Sequence, residues 1–378
     1  MFVQKPPMGY NTWNTFGHNI DASLIKETAD AMVDNGLLDA GYKYLVIDDC
    51  WSERHRDPVT DKIVPDKKKF PDGMNAVSDY VHSKGLKFGM YSCAGVRPCA
   101  DYPGSFDHEY LDAVTFAEYG CDFLKYDYCY KPETANGEML YRRMGLALEN
   151  CGREILFSAC NWGSDGVHGW ARSTGASMFR STGDIFDNFK SFSDIAFSQI
   201  DKFCYSAPGC FNDIDMLTVG MFGKGNVGTT GCDLNDYITQ FSLWCLLGAP
   251  LMIGCDVRNM EPQIKALLTN RELIRINQDE ECRPVYEVRT NNWNNVHAWF
   301  RHLSNNEYAL GVFNFTDGDA RPIRVELFDI GLSLGCGKAL ELVDVMSGER
   351  FENVTETFSP PMNYHACRVF RCRIVDAK

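Results

Sequence analysis

Short apolar segments recur along the first 283 residues, each ending on polar or aromatic residues and each followed by a stretch with helical spacing. Residues 8–13 are the first segment. Ser23 then reads as the cap of a helix running to Ala40, with Leu24, Ala31, Met32, Val33 and Leu37 near one face and Gly41 closing it. Residues 44–49, 87–92, 123–127, 154–162, 177–184, 206–217 and 250–256 continue the strand series. Helical patterns at 74–84, 113–119, 139–150, 189–200 and 237–247 fall between them, and 262–273 closes the run. Eight alternations of strand and helix predict an α/β fold, a (β/α)8 TIM barrel over residues 1–283. A doubly wound open sheet would call for a glycine-rich phosphate loop after an early strand, and the sequence has none.

Near Arg283 the pattern changes. Short, turn-bounded, partly alternating segments at 285–289, 296–302, 308–314, 323–327, 339–344 and 368–374 have no long helix between them, which predicts a C-terminal antiparallel β-sandwich over 284–378. Its aromatics Trp293, Trp299 and Phe313 fall at spacings that suit a core, so the domain is expected to brace the barrel rather than to bind polysaccharide.

Composition narrows the function. Of 378 residues, 45% are hydrophobic and 23% charged, ordinary for a globular protein, while aromatics at 13% are generous. The formal net charge of -14 argues against a nucleic-acid partner, whose phosphates require a basic face. No apolar run approaches the roughly 20 residues of a membrane span, and no charged start followed by an apolar stretch resembles a secretory leader. The cysteines are scattered, many inside apolar segments such as Cys93, Cys121, Cys245 and Cys255, so a reduced, cytoplasmic protein with buried thiols is expected. No CxxC pair or Cys/His cluster predicts zinc.

A barrel gathers the C-terminal ends of its strands at one mouth. Those ends carry Trp13, Asp48, Asp49, Tyr91, Lys125, Asp127, Asn161, Trp162, Arg180, Asp184, Asp213, Asp215 and Met216. Carboxylates, aromatics and two cations, with no phosphate loop and no metal triad, make the inventory of a sugar site: acids grip hydroxyls, an aromatic face takes the C–H face of a pyranose, and two further acids do the chemistry. Each member has a plainer alternative. Asp127 could be a helix N-cap and Asp48–Asp49 a capping pair; Trp13 and Trp162 could be core; Asp213 and Asp215 could hold Mg²⁺; Lys125 could be an ordinary ion-pair partner. Residues 125 and 127 share one face of their strand.

The motifs MGYNTW, YLVIDDCW, YVHSKGLKFGMY, PGSF, FLKYDYC, FSACNWG, FRSTGD, NDIDML, APLMIG and INQD follow one another between Pro7 and Asp279. Together they resemble the α-galactosidase / α-N-acetylgalactosaminidase family of retaining glycoside hydrolases, family 27. The resemblance implies that Asp127 is the nucleophile and Asp184 the general acid/base, protonated at rest because of the negative nucleophile nearby. It implies that Asp48, Asp49 and Lys125 bind galactose hydroxyls, Trp13 and Tyr91 wall the pocket, Arg180 lies near the 2-position and Met216 is an apolar neighbour. Retention calls for carboxyl groups about 5 to 5.5 Å apart. No cofactor and no metal are implied; the partner is a small-molecule carbohydrate, and a homo-oligomer is left open.

Asn161 and Trp162 lie on the segment that sets the choice at C2 in this family, and Asn161 favours a free 2-hydroxyl, hence an exo-acting α-galactosidase. The alternatives are an α-N-acetylgalactosaminidase, a β-L-arabinopyranosidase if the wall near Asp49 and Trp51 is changed, or a non-catalytic sugar-binding barrel, which would have no need of both Asp127 and Asp184. The sequence departs from the family at GCFNDIDML, usually GGWNDPDML, and leaves Cys50 and Cys160 without their partners. Cys99 and Cys129 match a pair that is bridged in secreted members; in a cytoplasmic setting they are expected as thiols.

Overall fold

Eight parallel strands, β1 (Met8–Asn11), β2 (Tyr44–Val46), β3 (Lys87–Cys93), β4 (Phe123–Asp127), β5 (Leu156–Cys160), β6 (Met178–Arg180), β7 (Phe211–Asp213) and β8 (Leu251–Ile253), are hydrogen-bonded in the order β7-β6-β5-β4-β3-β2-β1-β8. The computed structural model describes residues 3–291, 295–316, 323–333, 335–363 and 365–378. The two ends of the sheet meet just beyond β7, where Leu217 N donates to Met252 O at 2.8 Å and Gly254 N to Leu217 O at 3.0 Å. Helices cover the outside, and the result is a (β/α)8 barrel. Val46, Phe123, Leu156, Met178, Phe211 and Met252 form one buried cluster within it, while Leu124 and Tyr126 of β4 belong to the cluster shared with the helices. Gly89 in β3 keeps the interior open: a Cβ there would lie 2.7 Å from Val46 Cγ2 and 3.1 Å from Phe123 Cβ.

Several elements differ from their expected bounds for local reasons. The helix expected at 23–40 is two, Ala22–Asp34 and Leu37–Ala40, broken by Gly36 at φ 74°, and its cap is Asp21, whose side chain accepts from Leu24 N at 2.8 Å. The closing helix is likewise split into Pro262–Leu268 and Arg271–Asn277 by Asn270, which caps the second. The helix expected at 113–119 begins at Glu109, because its polar first turn is buried in ion pairs, Glu109 with Arg143 at 2.8 Å and Asp112 with Arg56 at 2.7 Å. Trp13 opens a short helix, Trp13–Phe16, since the Asn11 side chain accepts from Trp13 N at 2.9 Å and ends β1. β7 stops at Asp213, and Asp215 at φ 81° turns the chain before Leu217 closes the barrel.

Past the barrel, β9 (Val285–Val288), β10 (Val296–His302), β11 (Tyr308–Asn314), β12 (Val325–Glu326), β13 (Lys338–Asp344), β14 (Arg350–Val354), β15 (Thr357–Phe358) and β16 (Ala366–Asp376) build the β-sandwich. Six strands make one antiparallel sheet, order β14-β13-β16-β11-β10-β9, and β12 pairs with β15 in the second layer. Alternation along β10 divides two cores. Val296, Ala298 and Phe300 face the layer holding Val325 and Phe358, whereas Trp299 joins the barrel core, its ring 5.3 Å from that of Phe197. Phe313 is buried on the barrel side too, so this domain braces the barrel; Trp293 lies outside the described residues. Arg301, 1% exposed, reaches across the junction and donates to the carbonyls of Arg283 at 2.8 Å, Cys245 at 3.3 Å, and Leu246 and Ile276 at 3.1 Å. It thereby finishes the C-terminal ends of Leu234–Leu247 and Arg271–Asn277, where a cation is favoured. Gly248 leaves it room, since a Cβ there would lie 3.0 Å from Arg301 Nη2. Among the described residues no helix is long and apolar enough to cross a membrane.

Candidate active site

Phe123, Lys125 and Asp127 occupy the interior face of β4 by simple alternation. Asp127 ends the strand and is 9% exposed; its Oδ2 accepts from the Tyr91 hydroxyl at 2.8 Å and its Oδ1 from Tyr128 N at 2.9 Å. Burial raises its pKa, while the Lys125 charge and these two hydrogen bonds pull it back toward the ionised form. Burial and then the charges of Asp127 and Asp49 hold the Tyr91 phenol far above its ordinary range, so it remains a donor.

Lys125 Nζ donates directly not to Asp127 but to Asp48 Oδ2, at 2.8 Å, an oxygen that also accepts from Asn11 Nδ2 at 2.7 Å. Burial works against the lysine's charge, but Asp48 foremost and also Asp127 outweigh it, and its pKa rises. Asp49 accepts from Cys50 N at 2.6 Å and from Ala100 N at 3.4 Å. Burial pushes its pKa up to about 7, with the Asp48 and Asp127 charges adding to the rise. On the other side of the mouth, Arg180 ends β6 and its Nη2 lies 2.6 Å from Asp215 Oδ2 and 2.9 Å from Asp184 Oδ1. The Asp184 side chain is 69% exposed, with Arg180 as its ion-pair partner.

A cavity of about 230 Å³ joins these groups, lined by Trp13, Asp48, Asp49, Tyr91, Lys125, Asp127, Trp162, Arg180, Asp184 and Met216. It lies below the roughly 300–1,000 Å³ of sites for drug-sized ligands and suits a single sugar ring. Trp162 holds its place with a left-handed backbone, φ 57°, the kind of strain that gathers at functional sites.

Of the mouth residues expected from the sequence, Asp213 does not line this cavity, and neither does Asn161. Asn161 is fully buried and its Nδ2 donates to Ser164 O at 2.8 Å, so it shapes the turn that presents Trp162. Trp51 is also removed from the cavity: its Nε1 donates to Tyr91 O at 2.9 Å and its ring packs edge-on against Phe116 and Tyr119. The cavity also takes in Cys99 and five residues that no sequence motif marks, Asn14, Ile185, Phe186, Asn226 and Val227. The sequence carries no signal for Phe186, since Asp184, Ile185, Phe186 and Asp187 read polar, apolar, apolar, polar, and Asn226 and Val227 sit in a loop with no motif to mark them.

The sequence pattern of a family described as "Alpha galactosidase A" matches residues 5–279. The chain belongs to glycoside hydrolase family 27. The pattern of the family's second domain, "Alpha galactosidase A C-terminal beta sandwich domain", matches residues 274–363. The chain is 40% identical over 368 residues to the alpha-galactosidase of Cyamopsis tetragonoloba, covering 97% of this chain and 86% of that one. Alpha-galactosidase I from Mortierella vinacea superposes with a TM-score of 0.90 at 30% identity, over 100% of this chain and 98% of that one. The structure of alfa-galactosidase from Saccharomyces cerevisiae with raffinose gives 0.87 at 26% identity, over 98% of each chain.

In this member of family 27, Cys99 and Cys129 form a disulfide, their Cα atoms 5.6 Å apart, which corrects the expectation of two thiols. The reason is geometric: the turn after β3 and the residues after β4 run side by side at the mouth and place both cysteines within bridging distance. Cys50 and Cys160 are free and buried.

Proposed function

We propose that the protein releases terminal α-linked galactose from oligosaccharides or small glycosides, acting from the chain end and with net retention. The observation that supports this most is the meeting of Asp127 and Asp184 in one cavity sized for a single ring, walled by Lys125, Asp48 and Asp49. Asp127 attacks the anomeric carbon as the bond to the leaving oxygen breaks, and Asp184 gives that oxygen its proton. In the second step Asp184 takes a proton from water, the water oxygen bonds to the anomeric carbon on the original face, and Asp127 departs as a carboxylate. The Tyr91 hydroxyl and the Lys125 charge stabilise that departing carboxylate.

The test is hydrolysis of p-nitrophenyl α-galactoside, α-N-acetylgalactosaminide and β-L-arabinopyranoside by wild type and Asp127→Ala, with NMR of the sugar anomer released first. The α-galactoside should dominate, the α anomer should appear first, and the variant should be inactive. Dominance of another glycoside would overturn the substrate, a β-galactose first product the retention, and an active Asp127→Ala the nucleophile.

A further inference from the structure

The segment after Asp184 is built so that two side chains face the cavity mouth. Ile185 is 1% exposed and its N–H donates to Asp215 Oδ2 at 2.8 Å. Asp187 is fully buried; it accepts from Gly223 N at 2.6 Å and from the Tyr237 hydroxyl at 3.0 Å, and its own N–H donates to Val227 O at 3.1 Å. With 185 and 187 anchored inward, the alternation of an extended chain turns 184 and 186 outward together. Phe186 is accordingly 47% exposed and lines the same cavity as Asp184. A lone exposed phenylalanine is ordinary. This one shares a face with the proposed proton donor, on a backbone pinned on both sides.

Asp184 delivers its proton to the leaving oxygen, so whatever that oxygen carries lies over this same face. The cavity suits one ring only, and a second ring must sit outside it. We propose that Phe186 is the platform of the leaving-group site, with Asn226 as its polar edge. Asn226 lines the cavity too, on the loop that pairs with Asp187 at Gly228, and is fixed there by its N–H donating to Asn14 O at 2.8 Å. The leaving group this selects is a pyranose, its C–H face on the Phe186 ring and a hydroxyl on the Asn226 amide. The assignment rests on the galactoside hydrolysis proposed above.

It is tested with two substrates that share galactose and differ in leaving group: melibiose, which loses glucose, and α-galactosyl fluoride, which loses an ion with no face to stack. Phe186→Ala should lower the ratio of kcat/KM for melibiose to that for the fluoride about tenfold, mostly through KM. Phe186→Trp should keep the ratio near wild type, and Asn226→Ala should lower it by a smaller factor. An unchanged ratio in Phe186→Ala, or a fluoride rate that falls in step with melibiose, overturns the platform. A wild-type protein that turns over neither substrate overturns the galactoside reading instead.

Discussion

Tyr91→Phe isolates one hydrogen bond of the proposed mechanism. The phenol donates to Asp127 Oδ2 at 2.8 Å, and the ring is 3% exposed, so phenylalanine fills the same space without the donor. A hydrogen bond to an ionised group is worth about 1.5–3 kcal/mol. At about 1.36 kcal/mol per pKa unit, its loss should raise the Asp127 pKa by about one to two units. The sign follows from which form the bond favours: the phenol stabilises the carboxylate, so without it Asp127 takes up a proton at higher pH. The acid limb of kcat/KM should move upward by that amount, and the plateau should fall about 10- to 100-fold as the attacking and departing carboxylate loses its donor. The assay is kcat/KM for p-nitrophenyl α-galactoside across pH, with a urea midpoint as the folding control. An acid limb unmoved within about 0.3 units and a plateau within about twofold, with folding intact, would refute the role given to Tyr91.

Asp184→Ala should slow melibiose by about 10²- to 10⁴-fold yet slow the first step with α-galactosyl fluoride far less, since fluoride leaves without a proton; equal losses in burst kinetics would contradict the acid role. Asp49 has its folded pKa raised to about 7, so the stability of its protonated form is fully present below about pH 4 and lost as pH rises through about 7. Asp49→Asn should therefore flatten the fall in urea stability between those limits, by at most about 4 kcal/mol; an unchanged slope would count against the raised pKa. Arg301→Met leaves buried helix-end carbonyls without their donor, at a cost of about 3–5 kcal/mol in all, and calorimetry should show Tm lower by about 4–6 °C. A drop of under about 2 °C would show that those helix ends find other partners.

The barrel was legible because its strands are buried runs separated by helical periodicity, and because Lys125 and Asp127, two apart, had to share a face. Where the chain bends, the pattern misled. Gly36, Asn270 and Asp215 interrupt elements whose apolar residues continue past the break, since hydrophobic spacing does not register a left-handed residue or a side-chain cap. Asn161 shows a second limit: the motif around it was recognisable, but whether its amide meets the cavity or the Ser164 carbonyl is decided by the turn, not by the residue type. Lys125 is visible in the sequence as a cation on an apolar strand, but its direct partner, Asp48, comes from the neighbourhood of β2 and is 77 residues away in sequence. Phe186 and Asn226 come together only through backbone pairing between two loops, a contact with no periodicity to announce it.

Arg301 ties the order of synthesis to the order of folding. A ribosome adds about 5–20 residues per second, and the barrel's last helix, Arg271–Asn277, is complete before β10 exists. During that interval the ends of two helices have no guanidinium to bind, and the apolar face that later receives Trp299 is open. The nascent barrel is thus an unfinished object whose closure is supplied by the next domain. A chain cut near residue 283 would keep those helix ends and that apolar face open permanently, and in cells it should be a client of chaperones and proteases.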